Sequence, residues 1–239
     1  MAYYPVFIDT VGKKVLVIGG GRVGLEKTTG LINAELASIT VISPKLEPAL
    51  EEWRRLGRIE HQARAYREGD MAGFDWVMIA TDDGLANAEI QAEGRRRGIW
   101  VNAADDPQHC DFILPSVVRR GPITIAISTG GGSPAMARRV REELTDYFTE
   151  DFEALGELLA EVRRELKSRG ALKHIPQESW QSAIDGPLRA LLAQRRWGQA
   201  KARLYAGLGP AVLPQPQPAS RPAGLEAPTG LAARTAVAE

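Results

Sequence analysis

One cysteine, Cys110, stands in the 239 residues of this chain. No internal disulfide framework can form, and no cysteine-rich metal cage can be built. Histidine is also scarce. His61 reads as a strand-surface residue, His174 lies in a connector, and His109 beside Cys110 reads as a loop residue next to a partly buried thiol. There is no H-E-x-x-H, no G-x-S-x-G and no cluster of metal ligands, so no resident metal is expected. Charge of one sign is missing too. Thirty basic residues balance thirty acidic ones, which removes any net-charge argument for nucleic acid or a membrane surface. No run of about 18 apolar residues occurs, and Met1 to Thr10 lacks a basic segment leading into an apolar one. A cytoplasmic protein is the expectation.

The composition that remains, 44% hydrophobic and 25% charged, is that of an ordinary globular chain, long enough for one large domain or two small ones. Its organising stretch is Val15-Leu16-Val17-Ile18 followed by Gly19, Gly21 and Gly24. The first four residues read as a strand buried on both faces. The glycines stand at G-x-G-x-x-G spacing, and Val23, Lys27, Leu31 and Ile32 start a helix. Strand, glycine turn and helix N-terminus suit a dinucleotide pyrophosphate. The competing reading is a glycine-rich turn that only packs.

Around this stretch the pattern alternates. Tyr4 to Asp9 suggests a short edge strand. Strands follow at 37–44, 59–64, 76–80 and 99–103, with helices at 46–56 and 85–97 and an αL stop at Gly98. This is the alternation of a doubly wound α/β sheet. The second strand ends in Ser43-Pro44-Lys45, where an Asp or Glu usually meets the adenosine ribose. Lys45 there suits either a 2′-phosphate or plain exposure. Thr81 and Asp82 follow the fourth strand on the side where such sheets bind ligands, although Asp82 or Asp83 also suits a helix cap. Residues 112–118 and 123–128 read as a hairpin-like pair across Arg119 and Arg120. Thr129-Gly130-Gly131-Gly132-Ser133-Pro134 then feeds a helix carrying Arg138, Arg139 and Arg141, a second anion-binding arrangement or a solvated face. From Glu150 only helical periodicity remains. From Gly209 the Pro-, Ala- and Gly-rich composition predicts a disordered tail.

Asp105, just past the fifth strand, is the best acid–base candidate, because a carboxylate there could take a proton while hydride leaves to a nicotinamide. Taken alone, it reads more readily as a turn residue before Pro107. Four stretches in order change that balance. They are Val15–Lys27, then Ala80-Thr81-Asp82-Asp83 with Asn87, then Val101–Asp105 followed by Phe112-Ile113-Leu114-Pro115, and last Ile127–Ala137. Together, over roughly residues 3–148, they resemble the precorrin-2 dehydrogenases of siroheme biosynthesis.

The resemblance implies a Rossmann-type doubly wound parallel sheet, then a small dimerisation segment and a C-terminal helical domain. The expected limits are 1–112 for the NAD-binding domain and 113–148 for dimerisation and substrate binding. The helical domain is expected over 149–208 and the tail over 209–239. The implied activity is NAD-dependent oxidation of precorrin-2 to sirohydrochlorin. Some members also insert Fe2+, which makes iron a further substrate to test, and members are homodimers. The resemblance assigns the key carboxylate to Asp105. It assigns cofactor contacts to Gly19, Gly21, Arg22, Val23, Gly24, Ser43, Pro44, Thr81 and Asp82, with NAD as the cofactor. A tetrapyrrole with a carboxylate rim needs cations and N–H donors. Asn102, Arg119, Arg120, Ser128, Thr129, Gly130, Gly131, Ser133 and Arg138 are the candidates for it. Thr129 stands where multifunctional relatives carry a phosphorylatable serine. Too few residues follow Phe148 for a methyltransferase domain, so this chain is not expected to make precorrin-2. Two other readings remain: a non-enzymatic NAD-binding sensor and a dehydrogenase for another polyanion.

Overall fold

A computed structural model describes residues 3–103, 110–209 and Val212. Its first unit comprises residues up to Val118 together with Thr124–Tyr147. At its centre are five strands, β1 (Lys14–Ile18), β2 (Ser38–Ile42), β3 (Glu60–Gln62), β4 (Trp76–Ile79) and β5 (Trp100–Ala103), in the order β3-β2-β1-β4-β5. All neighbours are parallel. The chain lays β2 and β3 on one side of β1, then returns to lay β4 and β5 on the other. The order therefore reverses between β1 and β4, which is where open α/β sheets take their ligands.

Helices cover both faces. Val15, Val17 and Met78 pack with Leu31 and Ile32 of α1 (Arg22–Asn33) and Leu50 of α2 (Pro48–Arg55). Leu16, Ile18, Val77 and Val101 pack on the other face with Met71 and with Ile90 of α3 (Gly84–Arg97). Successive strand residues alternate between the two cores, which is why these strands are apolar throughout. Gly94 of α3 lies against Val101, where an added Cβ would come within 2.3 Å of the valine side chain.

Three expectations are corrected. Tyr4 to Asp9 forms no strand and is exposed. Both edges of β1 are taken by β2 and β4, so the segment leading into β1 has no adjacent edge to pair with. The second helix begins at Pro48 rather than Leu46, because the residue before a proline is pushed toward extended backbone; Glu47 sits at φ −57, ψ 147. The strand expected over 112–118 is instead β6, Ser116–Arg120, paired with β7, Ile123–Ile127, as a separate two-stranded sheet. Residues 110–112 are bonded to β5, and Pro115 has no N–H to give a ladder.

The helix α4 (Pro134–Tyr147) closes the first unit. The second unit comprises Arg119–Ile123 and the residues from Phe148. It holds α5 (Glu150–Ser168), a 3-10 turn at Leu172–His174, α6 (Gln177–Ala183), α7 (Gly186–Ala193) and α8 (Trp197–Leu208). Leu155, Leu158, Val162 and Leu166 of α5 meet Leu188, Leu192 and Leu204 in one core. Ahead of Gly186-Pro187 the helix α7 is capped. Asp185 accepts a 2.8 Å hydrogen bond from the Leu188 N–H and forms an ion pair with Arg203. The segment expected to be a tail lies outside the described residues apart from Gly209 and Val212. Among the described residues no helix is long and apolar enough to cross a membrane.

Candidate functional site: a cleft at the strand-order reversal

A cleft of about 930 Å³ opens over the carboxyl ends of β1, β2 and β4. The glycine turn forms its floor, and each glycine has a separate steric reason. Gly19 adopts φ 112, and a Cβ there would come within 2.4 Å of the Ala80 carbonyl oxygen. A Cβ at Gly24 would fall 2.1 Å from the Gly19 carbonyl oxygen, so only glycine lets α1 start this close to β1. Gly21 is different. Nothing lies within 4 Å of its missing side chain, and it caps α1 without any side-chain hydrogen bond. The first turn of α1 thus faces the cleft with its N–H groups uncapped by side chains and no acidic residue among them. This cradle fits a dinucleotide pyrophosphate.

Gly19, Gly21, Arg22, Val23, Ser43, Pro44, Thr81 and Asp82 all line this cleft, and Gly24 lies behind its floor. Ser43 is nearly buried. Its hydroxyl donates to the Lys45 carbonyl at 2.7 Å and its N–H donates to the Gln62 carbonyl. The choice between Asp82 and Asp83 as cap is settled by geometry: Asp83 accepts from the Leu85 and Ala86 N–H groups at 3.1 Å. Asp82 stays at the cleft wall, and the Thr81 hydroxyl donates to Asn87 at 2.6 Å. Lys45 is exposed and does not line the cleft.

The far wall was not legible in the sequence. Tyr66 donates to Glu93 at 2.8 Å, the Gly69 N–H donates to it at 2.9 Å, and Arg97 pairs with it at 2.6 Å. Burial pushes the Glu93 carboxyl up, but these three donors outweigh it and hold the group below its ordinary range. Burial and the Glu93 charge push the Tyr66 phenol well up. Both groups line the cleft with Glu68 and Arg96, which pair at 2.7 Å.

Two family models match this chain. One for NAD(P)-binding domains covers residues 6–116, and one described as the central part of sirohaem biosynthesis proteins covers residues 120–147. The siroheme synthase of Nitrosococcus oceani is 33% identical over 215 residues, spanning 90% of this chain and 46% of its own. That of Thioalkalivibrio sulfidiphilus is 34% identical over 208 residues, spanning 87% and 42%. A solved precorrin-2 dehydrogenase, SirC, superposes with a TM-score of 0.63 at 28% identity, over 84% of this chain and 100% of that one. The chain belongs to the precorrin-2 dehydrogenase family of siroheme biosynthesis. It spans less than half the length of the siroheme synthases it matches.

The residues expected on the substrate side are dispersed. Asp105 and His109 lie outside the described residues. Asn102 is 6% exposed, with its Oδ1 accepting from Lys27 at 2.6 Å and its Nδ2 donating to the Phe112 carbonyl at 2.9 Å. Ser128, Thr129, Gly130, Gly131 and Ser133 form a turn whose hydroxyls serve its own backbone. Ser128 accepts from the Gly130 N–H, Thr129 both donates to and accepts from the Ser133 backbone, and Ser133 caps α4 through the Met136 N–H. Gly130 and Gly131 take φ of 63 and 86, left-handed backbone that suits glycine. Arg138 is exposed on α4. Arg119 and Arg120 fall in the second unit, where Arg120 donates to the Phe148 carbonyl at 2.7 Å. Among the described residues no group of three His, Cys, Asp or Glu could hold a metal ion.

Lys27 is the residue that sequence reasoning passed over although a signal existed. It stands on the inward stripe Val23–Lys27–Leu31 and is 8% exposed, an unusual place for a cation.

Proposed function

We propose that this chain oxidises precorrin-2 to sirohydrochlorin with NAD+. The observation that carries the reading is the cleft itself: an uncapped helix N-terminus at the sheet's reversal, in a chain of this family, with β5 leading directly into Asp105. When bound, NAD+ supplies the hydride acceptor. The chain's own part is to bind and to move a proton. The α1 amides and Arg22 hold the pyrophosphate. Thr81 and Asp82 line the path toward the reacting end. The Asp105 carboxylate takes the proton that the substrate loses as its hydride departs, and returns it to solvent. Arg138 and the 128–133 loop hold the carboxylate rim.

NAD rather than NADP is favoured by charge. Among the described residues, Asp82, Asp83, Glu68, Glu89 and Glu93 line the cleft against only Arg22 and Arg96, and Lys45 is not in its lining. A 2′-phosphate would enter an acidic wall. We place the chain in the cytoplasm and read it as a homodimer assembled through residues 113–148. That segment buries only Val118 and Ala137 while Met136 and Tyr147 are about 60% exposed.

The test follows absorbance under anaerobic conditions with purified protein, precorrin-2 and NAD+. Wild type is expected to give the sirohydrochlorin spectrum and NADH in equal amounts, and Asp105→Ala to give neither. Fe2+ added to preformed sirohydrochlorin, read against the spontaneous rate, decides chelation. NAD+ binding without oxidation would favour the sensor reading. Equal rates for wild type and Asp105→Ala would leave the enzyme standing and remove Asp105 from it.

A further inference from the structure

Asn102 breaks an apolar row. Across the sheet its level reads Val41, Val17, Met78, Asn102, on the face covered by α1. Lys27 reaches that level from the second turn of α1 and donates to Asn102 Oδ1 at 2.6 Å, with both side chains more than nine-tenths buried. Packing alone does not require this pair, since replacing two buried polar partners with apolar groups of the same shape can be nearly neutral.

The other end of the Asn102 amide shows what the pair holds. Its Nδ2 donates to the Phe112 carbonyl at 2.9 Å. Next to it the Val101 N–H donates to Asp111 Oδ2 at 2.8 Å, and the Asp111 N–H returns to the Val101 carbonyl at 2.9 Å. The Ala103 N–H donates to Cys110 Sγ at 3.1 Å, and the thiol donates to the Ala103 carbonyl at 3.3 Å. Residues 101–103 and 110–112 are thus laced together as a neck. Six residues of the sequence, Asp105 among them, separate the two halves of this neck. Lys27 is the bond from that neck to the helix whose N-terminus faces the cleft.

We infer that Lys27 is a positioning residue: through Asn102 it ties the neck at the end of β5 to the cofactor-binding helix, and so holds the last residues of β5, the strand that precedes Asp105 in the sequence, in register with that helix. The inference rests on the function proposed above for its catalytic consequence, and on geometry alone for the tie. The tie explains why a cation is kept in an apolar layer. It also makes a fixed amide of Asn102, whose Oδ1 and Nδ2 are oriented by a donor on one side and an acceptor on the other.

The experiment compares wild type, Lys27→Met and Lys27→Arg by hydrogen exchange and by steady-state kinetics. In Lys27→Met, exchange at the Val101, Ala103 and Asp111 amides should rise about tenfold or more while Leu16 and Ile39 keep their rates, the mark of local rather than global opening. The kcat for precorrin-2 should fall about tenfold or more with KM and NAD+ affinity within about twofold, because misplacing a catalytic group costs turnover rather than binding. Lys27→Arg, which keeps a cationic donor, should recover part of both. If Lys27→Met does not fold, Lys27→Gln, one bond short of Asn102, gives the same readouts. Unchanged neck exchange overturns the inference, as does faster neck exchange with unchanged kcat, or a rise of equal size at Leu16 and Ile39. A wild type that oxidises no precorrin-2 overturns the functional reading instead, and neck exchange then decides the tie by itself.

Discussion

β1 and β7 are both five-residue strands rich in β-branched and aliphatic side chains, yet four residues of β1 are buried and none of β7 is. Composition does not separate them; neighbours do. β1 has a strand on each edge and helices on both faces, so each side chain from Val15 to Ile18 enters one of two cores. β7 has β6 alone, and it alternates half-buried with exposed residues along its whole length. A lone two-stranded ribbon is marginal in water. The sheet is therefore self-sufficient, whereas the hairpin and α4 keep apolar surface for another partner, which we propose is a second copy of the chain.

Truncation should expose this contrast most strongly. Leu16→Ala removes a fully buried side chain and should cost about 3 kcal/mol in urea unfolding, while Ile125→Ala on β7 should cost about 1 kcal/mol or less. Equal losses would break the comparison. A second effect separates glycines within the sheet's own turn. Gly24→Val drives a Cβ into the Gly19 carbonyl and should cost about 2 kcal/mol with loss of NAD+ binding. Gly21→Ala meets no atom, so it should leave the melting temperature unchanged and weaken NAD+ binding about tenfold in calorimetry, because only the ligand approaches there.

A smaller change in stability is expected from Ile125→Asp. Sedimentation should show a shift from dimer to monomer with little change in melting temperature; an unchanged mass would remove the hairpin from the dimer interface. The smallest effect is electrostatic and lies in the helical unit. Arg203 first, and the Leu188 N–H after it, hold the Asp185 carboxyl down at about 2 against an ordinary 3.8. A depressed folded value means that the contribution is complete above the unfolded value and is lost as pH falls through about 2. Circular dichroism between pH 4 and 2 should therefore show a shallower acid loss in Asp185→Asn than in wild type. The pair is exposed, so the difference should shrink in high salt.

Much of the first unit could be read from the chain because its signals are local. A continuous apolar run, glycines at fixed spacing and Gly98 as an αL stop each act within a few residues. The far wall of the cleft is not of that kind. Tyr66 and Glu93 are 27 positions apart, and nothing near either residue announces the other. The neck at β5 was missed for a related reason. Phe112 looks like the start of a strand, but the side chains and backbone of residues 110–112 spend their bonds on residues 101–103, up to ten positions earlier.

The sequence by itself determined which strands are buried on both faces, where the chain turns, and that a helix N-terminus would stand open beside a glycine turn. Those follow from side-chain hydrophobicity and from the steric freedom of glycine, which belong to the residues themselves. Only the tertiary structure decided that β1 and β4 lie side by side, that the cleft has an acidic far wall, and that Lys27 points inward at Asn102. Those depend on which distant segments share one core, and the burial of a polar group is set by the partner it finds there.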